Sequence, residues 1–280
     1  MVHWKDLVIK YIDYASGSCR YPLRMAGRTA LDKLSGPGGL FRVLVFAAHP
    51  DDETLGAGIL LHRLHCLGAD LRIVFTTNGR GMGWSHPTQQ QATSRLRLRE
   101  SQSALKTLGI PADSVNMLGF PDRGLHRYLP SAWNDISQLL NQVRPHFVLT
   151  HGLEGGHRDH DVTSLVVQLA ATAQDVSVLE WAEYSRDYPL SCPVIGFPKL
   201  GAANPSFNLI MTDEEWRLKA SALQAYQSQS ESRYTARRQE VFRWANPLET
   251  MRILEACCEE PRVRQVLRQF GASKLANFKV

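Results

Sequence analysis

From residue 42 onward, short apolar runs alternate with longer segments in which apolar residues return with helical period. VLVFAA at 43–48, LRIVFTT at 71–77, SVNML at 114–118 and HFVLT at 146–150 have the length of buried strands. Helical segments begin near Leu55 and cover about 89–108 and 131–143. Strands joined by helices in this order require right-handed crossovers. The pattern therefore predicts an α/β fold, a Rossmann-like three-layer sandwich with a mainly parallel sheet and helices on both faces. A further helix near 161–173 precedes two more apolar runs, VSVLEWAEY at 176–184 and FNLIM at 207–211. These two extend the sheet or form a small antiparallel edge, and the C-terminal third reads as mostly helical. In such sheets ligands collect at the carboxyl ends of the strands, so the residues after each strand matter most.

The N-terminal segment has a different texture. Trp4, Leu7, Val8, Tyr11 and Ile12 recur at helical spacing, followed by Arg20, Arg24, Arg28, Lys33 and a Gly/Pro-rich turn at 35–39. Residues 1–40 are read as an N-terminal helical extension, packed on the body or lying on a membrane surface or partner, and 41–280 as one domain. Lys5, Asp6, Lys10 and Asp13 interrupt its apolar content, unlike a secretion signal, and no run of the chain is long enough to span a membrane. A cytoplasmic protein is expected. With 44% hydrophobic and 21% charged residues the chain is globular rather than disordered. The balance of 32 basic against 27 acidic residues is too slight to point to nucleic acid. Five cysteines without a CxxC pair indicate neither a disulfide framework nor a thiolate zinc site. No GxGxxG follows the first strand, which disfavours a dinucleotide.

Two clusters carry chemistry. The first strand runs into His49-Pro50-Asp51-Asp52-Glu53, an imidazole and three carboxylates in one loop. Adjacent carboxylates repel unless a cation or a helix start lies beside them, and His with Asp suits a divalent metal such as zinc. Capping by Asp51 or Asp52 alone would leave His49 and the second carboxylate unexplained. The fourth strand is followed by His151, His157, Asp159, His160 and Asp161, with a helix expected to begin near 160. One of His157 and His160 would bind metal while the other faces substrate. Two His and one Asp around a metal leave a place for water, a free neighbouring carboxylate can take its proton, and a further imidazole can stabilise an oxyanion. Amide hydrolysis fits this set better than redox chemistry.

AHPDDETLGAG at 48–58, together with His157-Arg-Asp-His160, resembles the PIG-L/LmbE-like zinc-dependent N-acetylglucosaminyl deacetylases. Weaker matches in the family's order are Arg97-x-x-Glu100, Leu118-Gly-Phe-Pro-Asp122, Arg144-Pro145 and Lys219-x3-Leu223-x2-Tyr226-x-Ser228-Gln229. The resemblance implies metal ligands His49, Asp52 and His160, with Asp51 as general base and then acid. It makes His157 the group that polarises the acetyl carbonyl, and places Arg97 and Asp122 against the sugar or its substituent. The competing readings are a helix-surface ion pair with Glu100 for Arg97, and a turn residue after Pro121 for Asp122. Asp159 is expected to cap or orient its loop. In one departure, Arg80 stands where many relatives carry an acidic residue after the glycine of the second loop. Arg80 is expected to meet a phosphate or carboxylate and Trp84 to stack on a sugar face. The implied cofactor is Zn2+, with Fe2+ accepted by the same ligands. The implied function is a metal-dependent N-deacetylase that hydrolyses the acetamide of an N-acetylglucosamine-type amino sugar conjugate to amine and acetate. The alternatives are an N-acyl sugar deacylase of aminoglycoside or glycopeptide biosynthesis, or a non-catalytic ligand-binding protein on the same fold. The expected partner is a small-molecule amino sugar conjugate, not nucleic acid; homo-oligomer formation and peripheral membrane contact through the N-terminal helix stay open.

Overall fold

The computed structural model describes residues 41–81, 86–183, 206–229, 238–247 and 249–250. The N-terminal helix read over 1–40 and the loop residue Trp84 lie outside them. Seven strands form one sheet: β1 (Arg42–Ala47), β2 (Asp70–Thr77), β3 (Val115–Phe120), β4 (Phe147–His151), β5 (Ser177–Trp181), β6 (Ser206–Ile210) and β7 (Gln239–Trp244). Their order is β3-β2-β1-β4-β5-β7-β6. β1 to β5 are parallel, and β7 lies antiparallel to both β5 and β6. Five helices accompany the sheet: α1 (Asp52–Cys66), α2 (Pro87–Thr107), α3 (Leu129–Val143), α4 (Arg158–Ala173) and α5 (Asp213–Leu223).

The expected three layers are present, and β1 shows why its sequence reads as a continuous apolar run. Val43, Val45 and Ala47 face a core shared with α1, α2 and α5, while Leu44 and Phe46 face one shared with α3 and α4. A strand covered on both faces has no polar side to alternate with. The strand order reverses between β1 and β4, which opens a crevice at their carboxyl ends.

Among the described residues of the C-terminal third, the helix Asp213–Leu223 is joined by β7, a strand that closes onto β5 and β6. Its charged residues Glu240 and Arg243 imitate a solvated face, yet both are buried in ion pairs, with Lys219 and Glu180, each at 2.7 Å. The Lys219–Glu240 pair enters α1. Lys219 Nζ donates to the Leu55 carbonyl at 2.7 Å, and the Ile59 and Leu60 N–H groups donate to Glu240 Oε1 and Oε2 at 2.8 and 3.0 Å. Side chains from α5 and β7 thus bond backbone groups within α1. On the same stretch a Cβ at Gly56 would lie 2.1 Å from the Trp181 indole, so only glycine admits that ring.

Both functional helices begin earlier than the pattern indicates. α1 starts at Asp52, which puts Asp52 and Glu53 in its first turn. α4 starts at Arg158 because His157 caps it, its Nδ1 accepting the Asp159 N–H at 3.3 Å.

Candidate active site

The loop after β1 and the loop after β4 meet across the crevice. The His49 N–H donates to Asp52 Oδ2 at 2.8 Å, folding the loop back on the start of α1 and turning the Asp52 carboxylate toward the His49 ring. His160, in the first turn of α4, completes a triangle. His49 Nδ1 lies 3.2 Å from Asp52 Oδ2, and His160 Nε2 lies 3.3 Å from Asp52 Oδ2 and 3.3 Å from His49 Nδ1. Ligands about 2.0 Å from a tetrahedral zinc ion stand about 3.3 Å apart, so these three atoms have the spacing of three corners of such a site. A His/His/Asp set with a fourth corner left for water is the pattern of hydrolytic rather than structural zinc.

The other nitrogen of His49 is held from behind. Nε2 lies 3.3 Å from Asp122 Oδ1 and 3.3 Å from Asp159 Oδ2, the carboxylate backing that keeps Nδ1 aimed at a metal. Burial would lower the His49 pKa, but the Asp52 charge and the bonds to Asp122 and Asp159 raise it well above the ordinary value. Asp52 is the mirror case: burial opposes its charge, and His160 and His49 nevertheless hold it well below the usual carboxylate range. Asp122 is lowered too, against burial, by His49, the Gly81 N–H and Arg97.

Asp51 precedes Asp52 but makes no side-chain cap on α1. Its Oδ2 accepts from Arg97 Nη2 at 2.9 Å, and its N–H donates to Glu53 Oε2 at 3.1 Å. Glu53 has no exposure, and its Oε1 accepts the hydroxyls of Thr54, Ser101 and Tyr226 at 3.0, 2.8 and 2.9 Å. Burial lifts its pKa to about 7 despite those bonds. The His157 ring stands edge-on to His49, with centroids 4.8 Å apart. Burial and the neighbouring His160 and His49 push its pKa down to about 4, so at neutral pH it is uncharged. Because Nδ1 accepts the Asp159 N–H, the proton of the neutral ring sits on Nε2.

The structure therefore gathers His49, Asp51, Asp52, Asp122, His157 and His160 at one place, and replaces the surface pair read as the alternative for Arg97. Arg97 forms no surface pair with Glu100, which instead accepts the Ser228 N–H at 2.7 Å; Arg97 is 6% exposed and bonds Asp51. Asp159 does more than orient its loop, since it touches His49 directly. Arg80 is engaged by α2, Nη1 donating to Gln90 Oε1 at 2.7 Å. Two further neighbours join the group, His151 from the second cluster and Glu183, which the sequence reading missed. His151 stacks on His160 with centroids 4.0 Å apart, and its Nε2 accepts the Ala48 N–H at 2.9 Å. Glu183 lies 3.5 Å from His151 Nδ1 and accepts from Trp181 Nε1 at 3.1 Å. The signal for His151 was its place at the end of β4, beside the end of β1; nothing in the sequence marks Glu183.

Residues 44–171 match the family model described as PIG-L: GlcNAc-PI de-N-acetylase. Over those residues the chain resembles that family. The match runs from β1 into α4 and includes every member of the site named above except Glu183 and Tyr226. The chain is similar to the 1D-myo-inositol 2-acetamido-2-deoxy-alpha-D-glucopyranoside deacetylase of Corynebacterium efficiens, at 32% identity over 160 residues, 49% of this chain and 50% of that protein. The chain thus spans about half the length of the curated relatives it matches. In fold it resembles the N,N'-diacetylchitobiose deacetylase from Pyrococcus horikoshii, with TM-score 0.56 and 16% identity over 89% of this chain and 95% of that one. It also resembles the zinc-inhibited form of a teicoplanin deacetylase, with TM-score 0.58 and 18% identity over 72% and 97% of the two chains. Among the described residues no helix is long and apolar enough to cross a membrane.

Proposed function

We propose that this chain is a zinc-dependent hydrolase that removes the acetyl group from an N-acetylglucosamine-type amino sugar conjugate, releasing acetate and a free amine. The observation that carries the reading is the triangle of His49 Nδ1, Asp52 Oδ2 and His160 Nε2 at 3.2 to 3.3 Å. These residues would hold the metal, with Asp122 and Asp159 fixing the orientation of His49. Zinc bound there supplies a Lewis acid that brings the pKa of its water toward ~7.

The residues around the triangle divide the remaining work. Asp51 is next to a ligand but outside the triangle, so its carboxylate takes the proton of the attacking water and returns it to the departing nitrogen. The neutral His157 presents Nε2–H, a donor for the carbonyl oxygen as negative charge grows there. The sugar class is supported by the Corynebacterium efficiens relative, whose name specifies a 2-acetamido-2-deoxy sugar.

The test is acetate release from a panel of N-acetylglucosamine conjugates by zinc-loaded wild type and Asp51→Ala, with bound zinc measured in both. Wild type is expected to release acetate, and the variant to keep its zinc while losing about 10³-fold in rate. Zinc-loaded wild type that releases acetate from no conjugate would overturn the reading.

A further inference from the structure

We propose that Arg97 is a positioning residue that fixes the base Asp51, and not a contact to the sugar or its substituent. The base role of Asp51 is taken from the function proposed above; the placement of Arg97 is a matter of geometry. An arginine that recognises an anionic group on a ligand presents an edge of its guanidinium outward. Here the side chain is buried and the protein uses both ends of the fork. Nη1 donates to the Gly79 carbonyl at 2.8 Å, and Nη2 donates to Asp51 Oδ2 at 2.9 Å and reaches the Pro50 carbonyl at 3.4 Å. Asp122 Oδ2 stands 4.0 Å from Nη1. One guanidinium thereby ties the loop after β1 to the loop after β2 and borders the loop after β3.

The loop after β2 is shaped for this contact. Gly79 has φ +58°, and a Cβ there would lie 2.7 Å from the Pro50 ring and 3.4 Å from Arg97 Nη1. A glycine lets that backbone close on Pro50 and bring its carbonyl to Arg97.

α2 reaches the same residue by a second route. Ser101, about one turn beyond Arg97, donates to Glu53 Oε1, and Glu53 Oε2 accepts the Asp51 N–H. One stripe of α2 therefore holds Asp51 at both its carboxylate and its backbone. The arrangement constrains where the proton acceptor sits, and none of the bonds named above falls on an atom of the metal triangle. Lysine could keep the charge but not the fork, which needs several donors in fixed directions.

The experiment compares zinc-loaded wild type, Arg97→Lys and Arg97→Met on whichever conjugate the acetate-release panel shows to be turned over. A misplaced base lowers kcat: about 100-fold is expected for Arg97→Met and about 10-fold for Arg97→Lys, with KM within about 3-fold of wild type. Zinc affinity, measured by chelator competition, is expected to match wild type. A KM raised tenfold or more with kcat preserved would make Arg97 a substrate contact and overturn the proposal. Should Arg97→Met fail to fold, Arg97→Lys carries the same comparison.

A second readout needs no substrate. In crystal structures of the zinc-loaded proteins, the Asp51 carboxylate is expected to bond Arg97 in wild type and to turn away in the variant; an unmoved Asp51 in the variant overturns the proposal. If wild type deacetylates nothing, the proposed function fails, and this pair of structures still decides the role of Arg97.

Discussion

The floor of the crevice and its rim are built on opposite terms. On the floor, Asp52, Glu53 and His160 are between 0 and 3% exposed and His49 and Asp51 are each 7% exposed; each is bonded to another member of the group. At the rim, Arg80 is half-buried against Gln90, and Gly81 and Arg123 face solvent. A change on the floor strands a buried charge or a polar group and is felt throughout the cluster. A change at the rim meets water. Under the proposed function, the reaction belongs to the floor and the choice of substituent on the sugar to the rim, where residues can vary without disturbing the chemistry.

The largest effect that would expose this division comes from removing a floor ligand. Asp52→Ala takes one corner from the triangle and is expected to weaken zinc binding by more than about 100-fold, the loss usual for disturbing an outer-shell partner alone, as read by chelator competition. Affinity unchanged by that variant would move the metal elsewhere in the crevice.

An intermediate effect belongs to a region that serves neither floor nor rim. Glu215 accepts from Arg63 Nε at 2.7 Å and caps α5 with Thr212. Burial opposes its charge, but the bonds to Arg63 and to the Thr212 N–H hold its pKa below the ordinary value of 4.5. Its stabilisation is therefore complete above that value and is lost as pH falls through the lower folded value. Glu215→Gln is expected to cost about 1.5 kcal/mol in urea unfolding at pH 7, with the gap to wild type closing in acid and acetate release at pH 7 unaffected. The smallest effect is at the rim. Arg80→Ala is expected to shift stability by no more than about 0.5 kcal/mol and to leave kcat in place, with any change confined to KM across conjugates.

How far the sequence reveals this molecule follows from burial and from distance along the chain. The first four parallel strands are legible because apolar runs such as Val43 to Ala47 are covered on both faces and carry no competing signal, whereas the pattern leaves the direction of β5 open. β7 is illegible because Glu240 and Arg243 find buried partners that no local pattern announces. His49, Asp51, Asp52, His157 and His160 stand out as chemistry-bearing side chains gathered after two strands. Glu53 resembles any acid in a first helical turn, and its role emerges only when Ser101 and Tyr226 arrive from α2 and the segment after α5. Arg97 is conspicuous as a residue, but what it touches depends on how α2 packs over two strand ends.

The insertion of Lys219 and Glu240 into α1 bears on where the working unit begins and ends. The stretch that matches the family model, 44–171, contains the triangle and Asp51 but not the ammonium on the Leu55 carbonyl. It also lacks the carboxylate that receives the Ile59 and Leu60 amides, and the Tyr226 phenol on Glu53. A piece cut at 171 would keep the residues that react and lose part of the scaffold beneath them, so inheritance of the chemistry and autonomy of the fold have different boundaries along this chain.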